Sequence, residues 1–286
     1  MLLPVRNVNN LIKMDKKGQL TLFVIAAVIA VSVVSIFFMF RSGIVRAPIS
    51  TENANVLLSS KSENLRDYTS ECIEKISYGY FRETMAHGGY YKYKNLNSIN
   101  YLNNDNIVLL YNTSSGFKNN LPSLNNICGT SFENYLEDEG YEKLDECLKD
   151  FSPFRKDIDV KPSLDRKVIA DCSDEEIVIG TDWTLDISRA DASLVVQQKD
   201  TKLLVPMKKI WTVSNDILNE ESKGSNFVGD KIENYLDTHK SLWDHLRIRA
   251  EVIKGAQKVH YITSKPYRLG ENQSTFIFAI DKDLKI

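Results

Sequence analysis

Leu20-Thr21-Leu22-Phe23-Val24-Ile25-Ala26-Ala27-Val28-Ile29-Ala30-Val31-Ser32-Val33-Val34-Ser35-Ile36-Phe37-Phe38-Met39-Phe40 contains no charge, no glycine and no proline. About 20 residues rising 1.5 Å each match the roughly 30 Å hydrocarbon core of a bilayer. The run predicts one transmembrane helix over 20–40, in contact with membrane lipid from Leu20 to Phe40. Its polar members, Thr21, Ser32 and Ser35, can bond back to helix carbonyls and do not oppose burial in lipid. A buried helix of a soluble protein and a cleaved secretory signal are the competing readings. A secretory apolar core is only about 7–15 residues long. No Ala-x-Ala site follows this run, and Arg41 and Arg46 read as a stop.

The flanks set the direction. The polar tail over 1–19 carries Arg6, Lys13, Lys16 and Lys17, against Arg41 and Arg46 beyond the run. The bias favours a cytoplasmic N-terminus and an extracytoplasmic domain over 41–286. Other apolar runs, such as Ile107 to Tyr111 and Phe276 to Ile280, have strand length, so no second span is expected. The domain composition is ordinary for a globular protein, with 43% hydrophobic and 26% charged residues in the whole chain. A formal net charge of -2 gives no basic bias towards nucleic acid. The partners left open are a protein or a second copy of the chain.

The domain reads as α+β, an antiparallel sheet with several amphipathic helices. From Thr51 to about Ala86, Leu57, Leu65, Tyr68, Cys72, Ile76 and Tyr80 recur at helical spacing. Thr51 is the expected N-cap, and His87-Gly88-Gly89 the stop. Tyr90 to Tyr93 and Ile107 to Tyr111 read as strands, being aromatic and β-branched. A second helix is expected from about Ser131 to Phe151, with Thr130 and Glu133 as a capping box and Gly140 as a break. A meander of short strands fills 166–206, where Trp183, Leu185 and Ile187 alternate with polar residues. A third helix runs from about Met207 to Glu220. A fourth, from about Asp230 to Lys254, carries the stripe Ile232, Tyr235, Leu236, His239, Leu242, Trp243, Leu246, Ala250 and Ile253. Val259 to Ile262 and Thr275 to Ile280 read as a closing hairpin.

Cys72, Cys128, Cys147 and Cys172 all lie beyond the apolar run. An even count in a domain facing outward fits two disulfides, with three pairings open; four buried free thiols are the competing reading. Asn112-Thr113-Ser114 and Asn272-Gln273-Ser274 match the glycosylation acceptor pattern.

No catalytic, cofactor-binding or metal-ligating set emerges. His239 and His245 are six apart, whereas ligands sharing a helix face stand three or four apart. His239 reads as a core histidine on the apolar stripe. Glu137-Asp138-Glu139 and Asp174-Glu175-Glu176 lack the periodicity and glycine of a calcium loop, and read as a solvated helix face and a turn. Ser114-Ser115-Gly116 lacks the frame of a nucleophile elbow. The aromatic run Tyr78, Tyr80, Phe81, Tyr90, Tyr91 and Tyr93 reads first as core, and second as a sugar-binding or partner surface.

Lys16-Lys17-Gly18-Gln19-Leu20-Thr21-Leu22-Phe23 resembles the start of a group of uncharacterised archaeal single-span membrane proteins. Cys72-Ile73-Glu74, Gly88-Gly89-Tyr90, Cys147-Leu148 and Phe278-Ala279-Ile280 are similar to motifs of the same group. The resemblance implies one span and an extracytoplasmic domain, and no assigned activity. The start also resembles a class III signal peptide of archaeal pilins. That resemblance implies processing between Gly18 and Gln19 and a filament-building helix. Phe23 departs from it, standing where such pilins commonly carry Glu. The expected role is therefore a non-catalytic envelope, binding or assembly protein. A pilin-like filament subunit and a membrane-tethered envelope hydrolase are the alternatives.

Overall fold

The computed structural model describes residues 25, 27–32 and 34, then 51–101, 104–112, 119–224, 227–228, 230–239, 246–254, 257–264 and 274–281. The chain divides into two compact units, Met1–Asn53 and Ala54–Ile286. The tail over 1–19, Gly18 and Gln19, and most of the apolar run lie outside the described residues. Those of the run that are described are helical and exposed, and Ser32 Oγ donates to Val28 O at 2.8 Å, the back-bond expected of it. Among the described residues, no helix is long and apolar enough to cross a membrane.

The second unit is α+β. Helix α1 (Thr51–Ala86) buries Ala54, Leu58, Leu65, Cys72, Ile73, Ile76, Tyr80, Phe81 and Met85 along one side. Leu58 takes the inner position assigned above to Leu57, which is half-buried together with Tyr68. The helix stops at Gly88 and Gly89, both at positive φ, 65° and 90°. A side chain at position 89 would bring a Cβ to 2.9 Å from Pro122, so only glycine suits both the conformation and the space.

Tyr90 to Tyr93 form a bend, not the expected strand. Their rings are held by side-chain bonds described below, which replace ladder pairing. Strands β1 (Ser98–Tyr101), β2 (Asn104–Asn112), β9 (Leu246–Lys254), β10 (Gln257–Ser264) and β11 (Thr275–Asp281) make a five-stranded sheet, ordered β1-β2-β11-β10-β9. The β10–β11 hairpin is as expected, and β11 also pairs β2 in parallel. Phe276 through Ile280 are all buried, the continuous apolar run of a central strand covered on both faces.

The expected fourth helix is shorter than its apolar stripe. Helix α5 (Asp230–Thr238) ends before β9, which covers Leu246–Lys254. His239 is exposed, bonded to Tyr235 O, so it is not a core residue. Leu246, Ala250 and Ile253 fit a helical period. Leu246, Ile248, Ala250 and Val252 also alternate with Arg247, Arg249 and Glu251, and the ladder to β10 selects that period of two.

The segment 126–151 is helical, starting earlier than expected. It comprises a π-helical turn (Asn126–Thr130), α2 (Ser131–Tyr135), a second π-helical turn (Leu136–Gly140), α3 (Tyr141–Leu148) and a short 3-10 turn (Lys149–Phe151). Thr130 is in helical conformation with no side-chain cap bond, so the capping box is absent. Gly140 does not break the helix. It lets Tyr135 and Leu136 pack against the backbone, where a Cβ would meet Leu136 at 2.9 Å.

The meander forms two three-stranded sheets. One is β3-β6-β7 (Asp159–Pro162, Thr184–Arg189, Ala192–Gln197), and the other is β4-β5-β8 (Lys167–Cys172, Ile177–Asp182, Thr201–Leu203). Trp183, Leu185 and Ile187 are buried as their alternation requires. Helix α4 (Met207–Ser222) buries Ile210, Val213, Ile217 and Leu218.

All four cysteines are paired, Cys72 with Cys147 and Cys128 with Cys172, at Cα separations of 5.7 and 6.1 Å. The first bond ties α1 to α3. The second ties the Asn126–Thr130 turn to the end of β4.

Candidate functional site

A cleft of about 1080 Å³ opens between α1, the bend after Gly89 and the helical segment up to Lys149. Its floor is aromatic. Tyr80 and Tyr135 are buried with ring centroids 5.1 Å apart, and Tyr91 meets Tyr135 edge to face at 5.4 Å. Tyr68, Tyr91 and Tyr93 are half-buried and line its sides.

Local sequence places each of these groups. Tyr68, Ile76, Tyr80 and Glu83 lie three, four or eight residues apart on α1, so they share one face. The Gly88-Gly89 turn sends the chain back along that face. Tyr93 is then fixed by stacking on His87, at 3.4 Å and 6° between planes, and by donating from its hydroxyl to Glu83 Oε1 at 3.1 Å. Tyr91 donates to Glu139 Oε1 at 3.2 Å. Glu139 lies in the Leu136–Gly140 π turn and pairs with Lys143 one turn later at 2.8 Å. A π turn advances the helix face relative to a regular α-helix and recurs at functional sites.

The phenols of the cleft hold their protons strongly. Tyr91 is pushed up to about 12, first by burial and then by the adjacent Glu139. Burial also raises Tyr68, Tyr80, Tyr93 and Tyr135. A raised folded value means the associated stability is complete below the ordinary phenol value of about 10 and is lost as pH rises beyond it. For Tyr91 that loss falls between about 10 and about 12. Ultraviolet titration of phenolate absorbance is therefore expected to show a late-ionising class. Tyr91→Phe is expected to remove its component near pH 12 and leave the ordinary class unchanged.

At the rim, Lys149, Asp150 and Phe151 have φ of 47°, 52° and 55°. Three successive non-glycine residues in the left-handed region carry a cost of about 1–2 kcal/mol each. Burial of Phe151 and bonds from Arg155 to Asp150 hold them there. Lys149→Gly is expected to raise the unfolding free energy by about 1 kcal/mol. Chemical denaturation would measure it; a destabilised variant would show that the lysine side chain contributes more than its backbone costs.

The other sequence candidates disperse. Asp138 pairs with Lys92 at 2.8 Å, while Asp174 and Glu176 pair with Lys208 and Lys202. The first acidic cluster is thus a solvated face that also supplies Glu139 to the cleft, and the second is a turn held by Ser173. His260 is buried against Phe278, 3.9 Å from the Glu221 carboxylate. His245 and Ser114-Ser115-Gly116 lie outside the described residues. Among the described residues, no group of three or more His, Cys, Asp or Glu is placed to hold a metal ion. Phe81 is a core residue, Tyr80 is buried in the cleft floor, and Tyr91 and Tyr93 line its sides, so the aromatic run divides between its two readings. Sequence reasoning missed Tyr135, Lys143 and Lys149. The Glu139–Lys143 spacing of four was the available signal. No protein-family model, curated protein or solved structure matches the chain.

Proposed function

We propose that this chain is a membrane-anchored extracytoplasmic protein that uses the tyrosine-lined cleft as a non-catalytic binding surface. Leu20 to Phe40 is the anchor, with the tail inside. The observation that carries the reading is the pairing of all four cysteines in the domain that follows this run. Disulfides persist in oxidising compartments, and an outward-facing domain on a single span occupies one. The exposed helical residues Ile25, Val28, Ile29, Val31 and Val34 are apolar surface that lipid would cover. The resemblance of the N-terminus to archaeal single-span proteins agrees with this placement.

The test is alkaline carbonate extraction of membranes containing the full chain, followed by protease digestion of sealed vesicles. The protein is expected to stay with the membrane and to be cleaved only from the outer side. Release by carbonate, or cleavage only from the inner side, would overturn the reading. Intact mass of the extracted protein separates the permanent anchor from the filament reading, which Lys16-Lys17-Gly18-Gln19 before an apolar helix favours. A mature start at Gln19 would put the filament subunit first.

A further inference from the structure

The cleft has two kinds of surface, and together they define a ligand chemistry. The tyrosine hydroxyls are already engaged inside the protein. Tyr68 donates to the carbonyls of Cys147 and Leu148, Tyr80 to Ile127 O and Tyr135 to Ile76 O. Tyr91 and Tyr93 donate to Glu139 and Glu83, as above. What the tyrosines offer to a ligand is ring surface. The lysines are divided. Lys92 and Lys143 are paired with carboxylates, whereas Lys75, Lys94 and Lys149 line the cleft, are exposed, and make no ion pair among the described residues. Five lysines and three glutamates line this space, in a chain whose formal net charge is -2. The local excess is cationic, and Glu83 and Glu139 already accept hydroxyl donors.

We propose that the cleft binds an anionic glycan, a run of sugar rings bearing carboxylates. The C–H faces of the rings lie on Tyr68, Tyr91 and Tyr93, and the carboxylates meet Lys75, Lys94 and Lys149. Ring-on-ring contact uses the apolar faces that the engaged hydroxyls leave. Charge-assisted bonds from ammonium to carboxylate supply orientation. A volume of about 1080 Å³ stands at the upper end of the roughly 300–1,000 Å³ of ligand sites, room enough for linked rings. An acidic peptide is the weaker match. Extended peptides gain affinity by pairing with a strand edge, and this cleft is walled by helices and a bend. Two backbone irregularities support a binding role for the rim and wall, the left-handed run at Lys149–Phe151 and the π turn that carries Glu139.

The proposal rests on the binding role of the cleft given above. Its test uses the full chain in detergent, both disulfides intact, titrated calorimetrically with oligogalacturonate. A neutral malto-oligosaccharide of equal length and a polyglutamate peptide are the comparators. Oligogalacturonate is expected to bind saturably and more weakly as salt rises, since exposed charges are screened. Lys94→Ala with Lys149→Ala is expected to weaken it about tenfold, or about 1.4 kcal/mol, with the thermal transition retained. Equal binding of the neutral sugar, equal binding of polyglutamate, or no binding of oligogalacturonate each overturns the glycan assignment. If carbonate resistance and outer-side cleavage persist in that case, the anchored placement stands and only the glycan is lost. Failure of membrane placement is read separately, in the extraction itself.

Discussion

Cys72→Ser with Cys147→Ser is expected to lower the unfolding free energy by about 4–5 kcal/mol, measured by denaturant titration without reductant. The bond closes a loop with a sequence separation of 75, and constraining so long a loop removes much of the entropy of the unfolded chain. The second bond, with a separation of 44, is expected to contribute about 4 kcal/mol. The two loops interleave, because Cys128 lies between Cys72 and Cys147. Removing both bonds should therefore cost less than the sum of the separate losses. A change under about 1 kcal/mol in the first double variant would mean that Cys72 and Cys147 are not joined in the folded protein. The same variant frees α3 from α1, so the cleft is expected to open before the domain unfolds.

The second large effect is expected under the five-stranded sheet. Lys258 Nζ donates to both carboxylate oxygens of Glu221, at 2.9 and 3.1 Å, with side-chain exposures of 7% and 0%. Glu221 Oε1 also accepts the Phe227 amide at 2.9 Å. Lys258→Met takes from the buried Glu221 carboxylate the ammonium that bonds both its oxygens, and a loss of about 3–5 kcal/mol is expected. Glu221→Leu combined with Lys258→Met should recover most of that loss, because an apolar pair of similar volume avoids the desolvation cost of both ions. A double variant no better than the single one would assign the cost to the Phe227 contact or to packing. Thermal unfolding of the three variants distinguishes these outcomes.

The long helix α1 and the meander are legible because each repeats one period over enough residues, and the terminal hairpin because its apolar runs have strand length. Leu246 to Lys254 misleads for a physical reason. Leu246 and Ala250 satisfy both a period near four and a period of two, and only pairing with β10 decides between them. Tyr90 to Tyr93 mislead differently. Aromatic residues suit strands, but here Tyr91 and Tyr93 spend their hydroxyls on Glu139 and Glu83. The cleft was legible only in part. Tyr80, Tyr91 and Tyr93 stood out as an aromatic run. Their partners Tyr135, Lys143 and Lys149 come from a segment that reaches them through the Cys72–Cys147 bond, and that pairing was one of three the sequence left open.

The position of β11 has a consequence for the order in which the protein matures. Thr275–Asp281 is central in its sheet, between β2 and β10, and it comes after all four cysteines in the chain. During synthesis from the N-terminus, both cystines can close while β2 still lacks its parallel partner. Closed in that order, they would commit the cleft-bearing part covalently before the sheet is zipped. Until β11 arrives, β2 presents an open edge of the kind that recruits foreign strands. That exposure ends only when Thr275–Asp281 is inserted between β2 and β10, so the last strand to be made is the one that closes the sheet.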